Sequence, residues 1–248
     1  MPAILLFPAG LVFGSFITVV AHRVPRGESV VRGRSKCPHC GGRIAAYDNV
    51  PLLSWLVLRG HSRCCREAIS PRYPLTELAL GLLFTATALA FADDPPQLAL
   101  GLVFVSTLLA VTVTDLEQRI IPNKILLVAA ILGVAIAAVG DLGSLAERAI
   151  AALAAGGLLF AAAVAYPRGM GMGDVKLTAV MGLFLGRDVA PAVFVALVAG
   201  SLVGLVLVAR HGAEARKQAI PFGPFLALGG VVALFTGDAL LDWYLGTF

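Results

Sequence analysis

Gly169-Met170-Gly171-Met172-Gly173-Asp174-Val175-Lys176-Leu177 is a glycine-rich, charged interruption between two apolar runs of a chain that is otherwise mostly hydrocarbon. A second interruption has the same character: Asp115, at the end of another apolar run, is followed by Leu116-Glu117-Gln118-Arg119-Ile120-Ile121-Pro122-Asn123. Ionisable groups beside such runs need a reason, because charge inside a bilayer is costly and marks function by default. The two stretches read as polar edges of a helical bundle, at which two aspartates meet.

The surrounding composition settles the class. Of 248 residues, 58% are hydrophobic and only 14% charged, with a mean hydropathy of +0.89. A soluble domain of this size needs far less apolar surface. Runs long enough to cross a bilayer as helix, about 17–25 residues, fall at about 3–21, 74–92, 97–114, 124–140, 149–166, 189–209 and 219–241. A shorter run at about 175–186 depends on its neighbours for cover. The expectation is an all-α polytopic membrane protein of about eight transmembrane helices, with a small cytoplasmic cysteine-containing segment between the first two. It divides into a first helix (1–22), the cysteine segment (23–72) and a membrane core (73–248).

Charge sets the orientation. With the N-terminus outside, the inside loops are 23–72, 116–124, 167–176 and 208–218, which carry 17 of the 19 Lys and Arg residues. Only Arg148 and Arg187 remain outside, together with Asp93, Asp94, Asp141, Glu147, Asp188, Asp238 and Asp242. The positive-inside rule selects this topology. No Lys or Arg precedes residues 3–21, whereas His22, Arg23 and Arg26 follow them, so the first run lacks the basic start of a signal peptide and reads as a retained helix. The net charge of +4 is accounted for by cytoplasmic loops facing anionic headgroups. The partner it calls for is the lipid bilayer; nucleic acid is not needed.

The segment 23–72 holds all four cysteines and is too short for a sizeable core, so it calls for a staple such as a metal. Cys37-Pro38-His39-Cys40 followed by Gly41-Gly42 has the turn chemistry of a zinc knuckle. Its counterpart, His61-Ser62-Arg63-Cys64-Cys65, is irregular. Either Cys65 with Cys64 or a nearby group completes the set, or His61 and Cys64, spaced as HxxC, complete a Cys₃His site. Thiols in a cytoplasmic segment stay reduced, which favours metal over disulfide. Between the pairs, Trp55 and its neighbouring leucines suit either the membrane interface or packing against the knuckle. Glu77, about one turn inside the next helix, is either a functional carboxylate or a solvated helix N-terminus. Small residues at 151–157 and 200–204 suit close helix packing in lipid.

Each aspartate has a bland reading. Asp115 with Gln118 resembles a capping box, and Asp174 before Val175 is a plausible N-cap. Against this, Asp115 stands at a helix C-terminus, where the dipole disfavours negative charge. Taken together, Asp115 and Asp174 stand at one membrane depth, and two carboxylates close together in a low-dielectric site share one proton near neutral pH. Such a pair activates a water and polarises a carbonyl as a unit. Gly169, Gly171 and Gly173, without Cβ atoms, admit unusual dihedrals and close approach of an extended peptide. Irregular backbone at this depth belongs beside a wet cavity or within protein. No HExxH is present. His22, His39, His61 and His211 all fall at or beyond helix ends, which leaves no base for an intramembrane serine nucleophile. Aspartyl chemistry is what remains.

The chain resembles the type IV prepilin peptidases, bacterial leader peptidases of the GxGD aspartyl protease class. The resemblance rests on Gly14-Ser15-Phe16, Arg23 and Pro25, Gly33 to Cys40, Tyr47 to Trp55, Ile69 to Glu77, Asp115 with Ile121-Pro122-Asn123, Gly171 to Lys176, and Pro221-Phe222-Gly223-Pro224. It implies that Asp115 and Asp174 are the catalytic pair, with Gly171, Gly173 and Lys176 in the active-site loop. The implied substrates are prepilins or pseudopilins of type IV pili or type II secretion, cut at the cytoplasmic face of the bacterial inner membrane just before their hydrophobic segment. It also implies that many members methylate the new N-terminal amine with S-adenosylmethionine, an activity tied to the segment that would hold zinc through Cys37, Cys40, Cys64 and Cys65. One departure stands out: where the family has a second CxxC, Ser62 occupies the first position and Cys64 is out of register.

Two other classes compete with this reading. A proton or cation transporter using Asp115, Asp174 and Glu77 calls for acids at mid-bilayer, whereas hydropathy places both aspartates at the edge. A scaffold without catalysis has no use for both aspartates and the glycine loop.

Overall fold

Uncharged runs of Leu, Ala, Val and Ile give the backbone no partner but itself in lipid, so they fold as helices. The computed structural model describes residues 3–30, 35, 37, 39–167, 170–212 and 220–246. Gly33, Arg34, Lys36, Pro38 and Gly169 lie outside the described residues. The helices are α1 (Leu6–Arg23), α2 (Leu53–Val57), α3 (Arg72–Ala90), α4 (Pro95–Gln118), α5 (Asn123–Gly140), α6 (Ser144–Ala165), α7 (Met172–Leu185), α8 (Val189–His211) and α9 (Gly223–Leu245). All but the short α2 correspond to the eight apolar runs. Among the described residues, seven stretches are long and apolar enough to span a membrane, and one of them, Met172–His211, contains both α7 and α8. The fold is all-α, with the cysteine segment between the first two membrane helices, as expected.

The chain forms two compact units, Met1–Leu98 and Ala99–Phe248. In the first, α1 and α3 pack antiparallel. A Cβ built on Gly10 would lie 2.7 Å from Gly81 Cα, and one on Gly14 2.6 Å from Glu77 Cα, so these glycines set the separation of the two helices. Phe13 and Phe84 pack beside them with ring centroids 5.8 Å apart. The segment above holds itself together. The Trp55 indole N–H donates to the Ile69 carbonyl over 3.1 Å, and its ring lies against Gly60. Trp55 thus packs within its own segment, against residues 60 and 69.

In the second unit, small residues again decide which helices touch. Gly182 of α7 faces Ala152 of α6, where a Cβ would come within 2.5 Å of the Ala152 Cα, and Gly156 of α6 faces Ala179 of α7. Gly229 of α9 packs on the backbone of Ala192 in α8, and Gly200 of α8 meets Phe222. Gly157 and Gly204 face open space. The centre is apolar: Phe104 and Phe184 stack at 5.1 Å, and Gly230 admits Leu108, Met181 and Phe104. Hydroxyls here bond back into their own helices, as Thr114 does to Ala110 and Thr178 to Asp174, so they add no unsatisfied donor to the core. Outward faces carry Leu127, Ile131, Leu158, Phe194 and Leu205, the surface a lipid solvent calls for. The Arg148 guanidinium donates to the Leu183 and Phe184 carbonyls, closing the C-terminus of α7.

Candidate active site and metal centre

Asp115 lies in the last turn of α4, 6% exposed. That helix runs on to Gln118 and ends at Arg119, whose N–H returns to the Asp115 carbonyl from a left-handed conformation, φ 55°. The Asp115 side chain caps no following turn. Its Oδ2 accepts the backbone N–H of Gly223, at the start of α9, over 2.9 Å. The first N–H groups of a helix lack intrahelical partners and carry partial positive charge, so the start of α9 is a natural seat for a carboxylate. A Cβ on Gly223 would stand 2.7 Å from that oxygen. Pro221-Phe222-Gly223-Pro224 was visible in the sequence as part of a resemblance, but nothing local marked Gly223 as a partner of Asp115.

Asp174 sits in the first turn of α7, 8% exposed. It is not the N-cap, which is Gly171; Asp174 is the third helical residue, and its Oδ2 reaches back to accept the Gly171 N–H over 3.1 Å. This is the carboxylate half of a capping box. The two glycines act sterically. Gly171 has ordinary extended dihedrals, φ −84° and ψ 147°, and its missing Cβ leaves room for the Asp174 carboxylate. At Gly173 a Cβ would come within 3.0 Å of Ile121. Lys176 is exposed and donates to Asn123 Oδ1 over 3.0 Å, tying α7 to the start of α5. The structure thus brings Asp115 and Asp174 close enough to interact electrostatically. Each has one oxygen engaged by a backbone N–H, and a buried carboxylate with its second oxygen available can act as proton donor or acceptor.

The four cysteine sulfurs converge within 4.8 Å of one another. Cys37 and Cys65 are 3.7 Å apart, Cys40 and Cys64 3.2 Å, and Cys64 and Cys65 3.9 Å. Tetrahedral zinc with Zn–S of about 2.3 Å places its sulfurs about 3.8 Å apart, so the set fits. His61 does not join it; its Nδ1 is engaged with the Arg59 carbonyl at 2.8 Å. This corrects the Cys₃His alternative. Electrostatics favour a cation here: N–H groups of Cys40 and His39 pull the Cys37 thiol down to about 6. The hydrogen bond with the Cys40 sulfur, and then burial, push Cys64 up to about 12. Four thiolates side by side need a positive centre.

The irregular second pair has a geometric explanation. In the first knuckle Cys37 N–H bonds the Gly42 carbonyl and Gly41 N–H the Cys37 carbonyl. In the second, Ser62 N–H bonds the Glu67 carbonyl and Arg66 N–H the Ser62 carbonyl. Arg66, at φ 57°, repeats the left-handed Gly41 at φ 69°. Ser62 therefore stands where Cys37 stands, with its hydroxyl 3.1 Å from the Cys65 sulfur, and Cys64 supplies the fourth sulfur from inside the turn.

Comparison with known proteins decides the family. Residues 9–91 match the family described as Bacterial Peptidase A24 N-terminal domain, and residues 102–209 match the Type IV leader peptidase family. The chain belongs to the type IV leader peptidase family. It is similar to the prepilin leader peptidase/N-methyltransferase of Aeromonas hydrophila, 36% identical over 98% of this chain and 94% of that protein. The protein of the same name from Burkholderia pseudomallei is 37% identical over 92% and 83% of the two chains. That from Bacillus subtilis is 35% identical over 97% of both. No solved structure matches the chain. The leader peptidase match spans both aspartates and stops short of Gly223, while the N-terminal match contains all four cysteines.

Proposed function

We propose that this chain is an aspartic endopeptidase of the bacterial inner membrane that removes the leader of type IV prepilins or pseudopilins and then methylates the new N-terminus. Asp115 and Asp174 are its catalytic pair. The observation that carries this is a pair of buried aspartates, distant in sequence but within electrostatic reach of each other, each with one oxygen held by the N–H of a glycine at a helix start.

The geometry leaves each carboxylate one oxygen for chemistry. One carboxylate takes a proton from water as the oxygen attacks the scissile carbonyl, while the other donates its proton to the carbonyl oxygen. Collapse of the tetrahedral species breaks the C–N bond, with a proton passing to the leaving amine. The products are the leader's carboxylate and a pilin with a free amine. Gly171 leaves room for the Asp174 carboxylate, and Lys176 ties the start of α7 to the start of α5 through Asn123. The basic loops, 17 of 19 Lys and Arg on one side, support an outside N-terminus and a site facing the cytoplasm.

Cys37, Cys40, Cys64 and Cys65 would hold a zinc ion whose part is structural, cross-linking the two knuckles. S-adenosylmethionine supplies the methyl group in the second reaction. The test is incubation of purified chain with a synthetic prepilin fragment, read by mass spectrometry. Two fragments cut at the leader junction are expected; an intact substrate, or cuts elsewhere, would contradict the assignment.

A further inference from the structure

The first unit contains a cavity of about 630 Å³ between the facing ends of α1 and α3 and the segment that joins them. The helices contribute Ser15, Thr18, Tyr73 and Glu77 to its lining, and the segment contributes Tyr47 and Trp55. The volume lies in the range of about 300–1,000 Å³ used by small-molecule sites.

Glu77 is the unusual group. Only 7% exposed, its carboxylate accepts the Leu52 N–H over 2.7 Å. Leu52 in turn is held in the left-handed region, φ 61°, which a branched side chain rarely occupies. The fold thus keeps a carboxylate at the edge of the membrane helices and bends a strained residue over to meet it. Strain of this kind persists where the surroundings enforce it, and it clusters at functional sites. A solvated helix N-terminus does not describe this residue.

We infer that this cavity is the site of methyl transfer, with S-adenosylmethionine bound against its aromatic wall and the pilin amine at Glu77; the inference rests on the methylating activity proposed above. The lining holds groups of both signs: its aromatic side chains suit an adenine ring, Arg23 and Arg43 suit the carboxylate of the methyl donor, and Glu77 suits an ammonium group. The depth also matches. Thr18 and Glu77 lie between one and two turns inside the ends of their helices and Ser15 about two, and a pilin whose new N-terminus directly precedes its hydrophobic segment presents its amine at the bilayer edge. With an ordinary pKa of about 7.7–8.0, that amine is mostly protonated at neutral pH and must lose a proton first. Glu77 accepts it. The nitrogen lone pair then forms the N–C bond to the methyl group while the S–C bond breaks, its electron pair remaining on sulfur as S-adenosylhomocysteine, and the proton passes from Glu77 to water.

The test uses the full chain in detergent. Photolabelling with 8-azido-S-adenosylmethionine, mapped by mass spectrometry, should mark cavity residues of the first unit, and S-adenosylhomocysteine should displace the label. Displaceable label confined to Ala99–Phe248, with wild type still methylating, would overturn the cavity and leave the activity intact. Glu77→Gln retains an oxygen for the Leu52 N–H and removes the proton acceptor. It should slow methylation by about 10²-fold or more while equilibrium binding of radiolabelled S-adenosylhomocysteine stays within about threefold of wild type. Methylation at the wild-type rate in this variant would overturn the role of Glu77. A wild-type product without the mass of an added methyl group would instead overturn the methylation reading, and the cavity assignment with it.

Discussion

The backbone N–H of Gly223 donates to Oδ2 of Asp115 over 2.9 Å in a buried contact that joins the start of α9 to the end of α4. Because a Cβ at position 223 would stand 2.7 Å from that oxygen and 3.2 Å from Asp115 Cγ, even alanine has to displace the carboxylate or the helix start. Misplacement of a catalytic group by about 1 Å can cost about 10²-fold in rate. Gly223→Ala should therefore lower prepilin cleavage by about that factor with little change in substrate affinity, measured as kcat and KM on a peptide substrate. Unchanged kcat would show that the contact does not position Asp115.

The two knuckles predict an asymmetric response of the metal. Wild type should bind about one zinc per chain. Cys64→Ser should lose most of it, because Ser62 cannot supply a thiolate. Adding Ser62→Cys to Cys64→Ser should restore binding, since residue 62 stands where Cys37 stands in the other turn. Elemental analysis of purified protein reads all three. Full zinc in Cys64→Ser would show that Cys64 is not a ligand.

The pair Asp48–Arg63 ties the second cysteine turn to residues 46–49. Arg63 Nε and Nη2 donate to the carboxylate at 2.8–3.1 Å, and the guanidinium lies 5.5 Å from the Tyr47 ring centre. Hydrogen bonds from Arg63 hold the Asp48 carboxyl below its ordinary range. A carboxyl with a depressed folded-state pKa contributes stability above the unfolded value, about 3.9 for Asp, and loses it as pH falls through the folded value. Amide exchange across residues 60–68 should thus be faster in Asp48→Asn than in wild type from about pH 5 upward. The gap should close as pH falls below about 4; a gap that widened on acidification would refute the pairing.

Glycine substitutions should separate packing from propensity. Gly182→Ala drives a Cβ to 2.5 Å from Ala152 Cα, a backbone atom that cannot swing aside, and should cost about 1–3 kcal/mol. Gly157→Ala meets nothing within 4 Å and should be neutral or gain about 0.5–1 kcal/mol from helix propensity. Thermal unfolding in detergent distinguishes the two. Equal effects would mean that the α6–α7 contact is looser than described.

The helices were legible in the sequence because lipid leaves an apolar backbone few options, so the runs map directly onto α1 and α3 to α9. The aspartates were legible as polar residues at run ends, and the cysteines by their spacing. What stayed hidden depended on partners remote in sequence. Gly223 lies 108 positions from the carboxylate it meets, and no periodicity encodes that. Gly171 has ordinary dihedrals where unusual ones were expected, and the neighbours that need a missing Cβ at 171 and 173, Asp174 and Ile121, could not be read from the local sequence. Cys64 looked out of register because ligand spacing assumes that both turns present their first residue, whereas here Ser62 keeps that position and a neighbour supplies the sulfur.

The central claim, that Asp115 and Asp174 together cut the prepilin, is tested most directly by co-expressing a prepilin with wild type, Asp115→Asn or Asp174→Asn in membranes at matched protein levels. Asparagine keeps the size of the side chain and an oxygen for the glycine N–H, so helix starts and packing survive while proton transfer does not. Each substitution should reduce processing by about 10²–10⁴-fold. Processing near the wild-type level in either variant would mean that the aspartates serve to hold helix ends, and that the peptide bond is cut elsewhere.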